Sequence, residues 1–226
     1  MFKLLVVLAC AAGCLTAMSA VALADEFILW PSEDAWVNEE SPEANYGGNT
    51  YLTVRDRSGL AEAFMRFSDA DLARLSGVDI TAAALCLYQY QGTYSPGDVI
   101  NLHQVNGGWS ESTVAWQNKP GYSQAALSSA ALTAGDGWRE WSGLESQVAA
   151  WRDGPAGSWY GLALENGADA QEGELYARFY SSEYSDQSLR PYLRVSGNPV
   201  TTPVPVSVAL FGIGSSLLGV KKLLGR

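Results

Sequence analysis

Between residues 26 and 196 the chain repeats one pattern: a short run of apolar, aromatic or β-branched residues, then a break of Gly, Pro, Asn, Asp or Ser. Tyr51-Leu52-Thr53-Val54, Ala63-Phe64-Met65-Arg66-Phe67 and Ala84-Leu85-Cys86-Leu87-Tyr88-Gln89-Tyr90 read as strands. So do Val99 to Val105, Trp159 to Leu164 and Tyr192 to Val195. Such residues pack well on a pleated surface, and turn formers bound every run. Strands at this spacing predict an all-β domain, a jelly-roll-like two-sheet β-sandwich. One short helix interrupts the pattern. Leu144, Val148 and Trp151 fall at i, i+4 and i+7, and Asp153-Gly154-Pro155 ends the run. The helix is expected to cap an open end of the sandwich. Leu72 to Leu75 suggest a single further turn.

The two ends follow different patterns. Lys3 precedes an apolar run from Leu4, and Ala22-Leu23-Ala24 supplies small residues just before Asp25-Glu26. Residues 1–24 therefore read as a signal peptide cleaved after Ala24. A lipoprotein reading of Cys14 meets Ala11 where a Leu is usual. Residues 25–196 form the domain. Residues 197–205, with Thr201-Thr202-Pro203-Val204-Pro205, read as an extended Pro-rich linker. Residues 206–226 begin with the uncharged apolar stretch Val206–Val220 and close on Lys221, Lys222 and Arg226. As a helix that stretch covers about 22 Å, against about 30 Å of bilayer hydrocarbon. Its apolar character on all sides still sets it apart from a core helix, and its basic end is expected to stay cytoplasmic.

Composition narrows the function. The whole chain carries a net charge of −10, and four of its basic residues (Lys3, Lys221, Lys222 and Arg226) lie outside the domain. The domain is thus strongly acidic, which argues against nucleic acid and anionic lipid as partners. Cys10 and Cys14 leave with the leader, so Cys86 is the one thiol of the domain and reads as a buried small hydrophobe. His103 is the single histidine. A Ser–His centre or a zinc site has too few partners here. Glu111, Glu140, Glu165 and Glu183 are available for two-carboxylate hydrolysis, but none has a recognisable partner spacing. Loop Asp and Asn oxygens suit a structural calcium ion, although no EF-hand spacing occurs and the ligands stay unknown. Arg66 and Glu183 are expected to form a structural ion pair between aromatic-rich strands.

The eight Trp and eleven Tyr all fall inside the domain. Trp116, Trp141, Trp151 and Trp159 alternate with apolar residues and read as core. Trp109 and Trp138 follow Gly-rich stretches, and Tyr94 lies in the hairpin-like Gln91-Gly92-Thr93-Tyr94-Ser95-Pro96-Gly97. These three are the candidate carbohydrate-binding residues, because sugar C–H faces stack on exposed rings.

Two resemblances sharpen this. The tail from Pro203-Val204-Pro205 through Lys221-Lys222 resembles a PEP-CTERM protein-sorting signal, with Val204 where an acidic residue is usual. That implies an exosortase-type sorting enzyme, a transient inner-membrane intermediate held by the C-terminal segment, and a final place at the cell surface or in the extracellular matrix. The domain resembles the DNRLRE family, related to carbohydrate-binding modules. The match rests on Asp34-Ala35-Trp36-Val37 with Pro42 to Gly47, on Phe64-Met65-Arg66-Phe67, on Trp109 to Pro120, and on Phe179 to Glu183 with Leu189 to Leu193. It implies a jelly-roll-like sandwich and, in some members, polysaccharide binding. An exported, non-catalytic polysaccharide-associated protein is the reading that results. A structural matrix protein or adhesin without sugar specificity and a small carbohydrate-active enzyme are the alternatives.

Overall fold

The computed structural model describes residues 24–56, 59–95, 97–167 and 175–200. The expected signal peptide before Ala24 and the sorting segment 206–226 lie outside the described residues, as do Pro203, Val204 and Pro205 of the sorting motif. Eleven strands appear among the described residues. They are β1 (Asp25–Leu29), β2 (Glu33–Asn38), β3 (Tyr51–Arg55), β4 (Ala61–Arg66), β5 (Val78–Thr93), β6 (Val99–Gln104), β7 (Ser128–Ala131), β8 (Gly137–Ser142), β9 (Leu162–Asn166), β10 (Tyr176–Tyr180) and β11 (Tyr192–Pro199). The fold is all-β, as the alternation predicted.

The strands belong to one curled sheet, ordered β1-β11-β5-β10-β3-β4-β9-β6-β7, with β2 added to β4 and β8 added to β5. The passage from β3 to β4 rests on the pair Arg55↔Ala61. That pair joins two layers that face each other across a common core. Leu85, Trp141, Phe179 and Leu193 enter the core from one layer, and Met65, Ile100, Leu102 and Leu164 from the other. Trp141 crosses between them and donates its indole N–H to Ile100 O at 2.8 Å.

β5 organises the first layer. Its segment Ala84–Cys86 pairs with both β8 and β11, so these two strands lie on opposite edges of β5. Gln89 is likewise shared by β8 and β10, which places β10 on the β11 edge. Along these strands the inward residues are apolar. Leu85 and Leu87, Ala177 and Phe179, and Leu193 and Val195 are all buried. The alternate residues point to the outer surface, as the period of two requires.

A second apolar cluster covers the other layer on its outside. Ala35, Val37, Phe64, Val105, Val114 and Ala163 are buried there beneath the chain between β6 and β7. Helix α2 (Glu145–Asp153) buries Val148 and Trp151. Its Glu145 accepts from the Ala83 N–H at 3.2 Å, and its Arg152 donates to Val78 O at 2.6 Å. Helix α1 (Asp69–Ala73) is the single turn expected near Leu72, capped by the Ser68 hydroxyl.

Three expectations need correction. The strand foreseen from Trp159 begins only at Leu162, because Gly161 takes φ +108°, a left-handed backbone that extended pairing does not accept. The domain does not stop at Ser196. β11 pairs through Gly197 and Asn198 to Pro199, opposite Ile80, Asp79 and Val78. Trp116 is half-buried rather than core, with the Lys119 ammonium 3.8 Å from its ring centre.

Candidate functional site

The outward positions of β5, β8, β10 and β11 carry aromatic side chains in register. Tyr88 and Trp138 are direct cross-strand partners, as are Cys86 and Tyr192. From there the rings run on without a break. Trp30 lies 5.9 Å from Tyr192, Tyr192 5.0 Å from Trp138, and Trp138 5.5 Å from Tyr88. Tyr88 is 5.9 Å from Tyr180, which stacks on Tyr90 at 4.4 Å and on Tyr184 at 3.6 Å. The Trp30 end is 46 % exposed and Trp138 39 %, whereas the tyrosines of the row are partly buried. A continuous aromatic row on a sheet surface, wet along one side, is a platform on which sugar rings can stack.

Polar groups flank the row. Arg194 pairs with Glu140 at 2.7 Å. The Arg178 guanidinium lies 4.3 Å over the Tyr51 ring and 5.3 Å from that of Tyr176. Such cation–π contact fixes a flexible side chain at low cost in solvation. The Tyr180 phenol is pushed up to about 12, first by its hydrogen bond with Tyr184 and then by burial. Burial raises Tyr90, Tyr176 and Tyr192 as well. At the Trp30 end a hollow of about 280 Å³ opens between Trp30, Pro31, Ser182, Gln187, Arg190 and Pro191.

Of the three aromatics singled out in the sequence, Trp138 alone stands in this row. Trp109 lies against Phe64, ring centres 5.9 Å apart, and donates its indole N–H to Tyr160 O at 2.7 Å. Tyr94 packs against the main core and donates its hydroxyl to Thr133 O. Both are placed as anchors of their loops. Trp30, Tyr88, Tyr90, Tyr180, Tyr184 and Tyr192 were missed. The available signal was the period of two in Tyr88-Gln89-Tyr90 and in Tyr176, Arg178, Tyr180, which puts those rings opposite the apolar face.

The ion pair expected between Arg66 and Glu183 does not form. Arg66 bonds Glu33, its cross-strand neighbour on β2. Glu183 instead meets two other acids. Atoms of Asp34, Glu111 and Glu183 suited to ligate a metal lie within 4.8 Å of one another. Asp34 is completely buried, and its Oδ2 accepts from the Ser182 N–H at 2.8 Å. Burial first, and then the charge of Glu183, raise Asp34 well above the carboxylate range. The same two causes push Glu111 up to about 7.

The longest motif of the chain, Trp109 to Pro120, is scaffold. Asn118 accepts from the Ala115 N–H at 2.7 Å and donates to Thr113 O at 3.0 Å. Lys119 pairs with the buried Glu62. His103 is clasped by Ser123 O at 2.7 Å and Glu165 at 2.9 Å, and its ring is buried. It is a structural histidine.

A sandwich bearing an aromatic strip of this kind has the architecture of a carbohydrate-binding module. Residues 26–197 match the model of carbohydrate-binding module family 96, and the chain belongs to that family. No curated protein matches the chain.

Proposed function

We propose that this protein is an exported, non-catalytic module that binds an extracellular polysaccharide along the aromatic row from Trp30 to Tyr180. The carrying observation is the unbroken sequence of outward rings across β11, β8, β5 and β10, with Trp30 and Trp138 the most exposed. Family membership supports a carbohydrate ligand. The resemblance of four stretches to the DNRLRE family points the same way. Hydrolysis would need two carboxylates facing a bound sugar. Among the described residues, the acids that converge include Asp34, which is sealed from solvent and cannot touch a polymer.

Export rests on the leader-like residues 1–24, and β1 begins directly after Ala24. The tail from Pro203 to Arg226 is read as a sorting signal. It would hold the chain briefly in the inner membrane and be processed by an exosortase-type enzyme, leaving the domain at the cell surface or in the matrix. A glycan array probed with the purified protein tests the binding reading. Retention of one polysaccharide class, lost in Trp138→Ala, supports it. No binding to any glycan favours a structural matrix protein. For sorting, replacing Lys221 and Lys222 by Glu should abolish the membrane intermediate in cell fractionation, because the positive stop is removed.

A further inference from the structure

Far from the aromatic row in function, though joined to it through Ser182, three chain segments meet at the open edge of the sandwich. β2 is the edge strand of its layer and turns Asp34 toward the interior, opposite Met65. The segment between β6 and β7 brings Glu111. The connection from β10 to β11 brings Glu183. These positions are remote in sequence, yet their carboxylates converge.

The surroundings hold each acid in place. Asp34 Oδ2 accepts from the Ser182 N–H at 2.8 Å. Asn45 donates to Glu111 O at 2.7 Å and to Val114 O at 2.8 Å, which pins the backbone around Glu111. Ser182 donates its hydroxyl to Glu183 Oε1 at 2.8 Å. Two oxygens remain without a hydrogen-bond partner although they are shut off from solvent: Asp34 Oδ1 and Glu183 Oε2. Asp34 as a whole is 0 % exposed. An ionised carboxylate buried with an unpartnered oxygen is costly unless a proton or a cation offsets it. Among the described residues no Lys or Arg forms a salt bridge with any of the three.

We infer that Asp34, Glu111 and Glu183 form a structural calcium site that fastens the β6–β7 and β10–β11 connections to the edge strand β2. Calcium binds hard carboxylate oxygens at about 2.4 Å, so ligands across the ion lie up to about 4.8 Å apart. Magnesium, at about 2.1 Å, draws opposite ligands to about 4.2 Å and demands a regular octahedron. A largely protein-built carboxylate shell gathered from three remote segments suits calcium, which accepts irregular arrangements of six to eight oxygens, better than magnesium, which keeps several of its waters. Three carboxylates supply three to six oxygens, and water completes the shell. The inference is independent of the polysaccharide reading, because none of the three acids belongs to the aromatic row.

The test is thermal unfolding of the purified protein after chelator treatment, with and without CaCl2, combined with terbium luminescence. Trp36 lies two residues along β2 from Asp34 on the same strand face, so a terbium ion in the site should be sensitised through it. One equivalent of terbium should bind and be displaced by calcium. Calcium at a hundredfold excess over its Kd should raise the unfolding midpoint by about 5–10 °C. Magnesium at the same concentration should shift it less. Asp34→Asn and Glu183→Gln should each abolish the calcium shift and the luminescence, and Glu183→Gln keeps the test open if the Asp34 variant does not fold. Glu26→Gln, an exposed acid elsewhere, and Trp138→Ala should retain both signals. Lack of any calcium shift, or a shift of equal size in Glu183→Gln, would overturn the site. If Trp138→Ala loses sugar binding but keeps the calcium shift, the two readings separate.

Discussion

Tyr88 and Trp138 face each other across the β5–β8 ladder, ring centres 5.5 Å apart and planes at 88°. The edge of one ring meets the face of the other, an arrangement favoured by the aromatic quadrupole. Tyr88 in this way holds Trp138 upright, and the indole keeps an exposed flank for a ligand.

Trp138→Ala should therefore weaken polysaccharide binding by about 1–3 kcal/mol, the size usual for a well-placed anchor. Its unfolding midpoint should change little, because the ring is 39 % exposed and contributes modestly to the core. Isothermal titration paired with denaturant unfolding reads both quantities. Unaltered affinity would move the sugar off this row.

Trp109→Ala should do the reverse. The ring packs on Phe64 and its N–H holds Tyr160 O, so about 3 kcal/mol of stability should be lost. Affinity per folded molecule should be unchanged. Tyr94→Ala is expected to behave alike, because its ring packs on the main core and its hydroxyl holds Thr133 O. A fall in affinity with a normal midpoint would return either residue to the binding face.

Arg66→Leu should cost about 1 kcal/mol or less. The partner is Glu33, and both side chains keep solvent contact, which limits what an ion pair contributes. Urea unfolding of this variant decides between a partly exposed pair and the buried one that the sequence suggested.

Gly47→Ala should be markedly destabilising. A Cβ at this position would lie 2.3 Å from Glu111 O, which is backbone and cannot step aside. The two segments would have to separate, at a cost of about 1–3 kcal/mol. A midpoint equal to that of the parent protein would show that the contact yields freely.

In chelator, stability should fall as pH rises from about 4.5 to about 8. Glu111 has an ordinary value of 4.5 and is held at about 7 in the fold by burial and by Glu183, with Asp34 and Glu33 also facing it. Between those values the native state binds more protons than the unfolded chain, so stability declines with increasing pH. Asp153 and Asp186, both lowered from 3.8, act below this window. Thermal melts across the range check the sign. A midpoint that climbs between pH 5 and 7 contradicts the raised Glu111.

Local pattern alone carried the all-β class, helix α2 and the turn at Leu72. Leu144, Val148 and Trp151 line one helical face whatever the strands around them do, and an alternating run such as Ala84 to Tyr90 suits a half-buried strand in any sheet. β7 and β8 escaped notice because Ser128-Ser129-Ala130-Ala131 lacks β-formers and Gly137 opens the other. Their pairing with β6 and β5 decides them, since strand formation depends on neighbours as much as on propensity. The exposure of Trp138 was legible from its Gly-rich approach. Its six companions in the row were not, because an outward tyrosine and an inward one look alike until the register assigns the faces. The same holds for Asp34, Glu111 and Glu183. The motifs that contain them were visible, yet residues so remote in sequence meet only when the sheet curls and brings the edge strand β2 against the chain leaving β10.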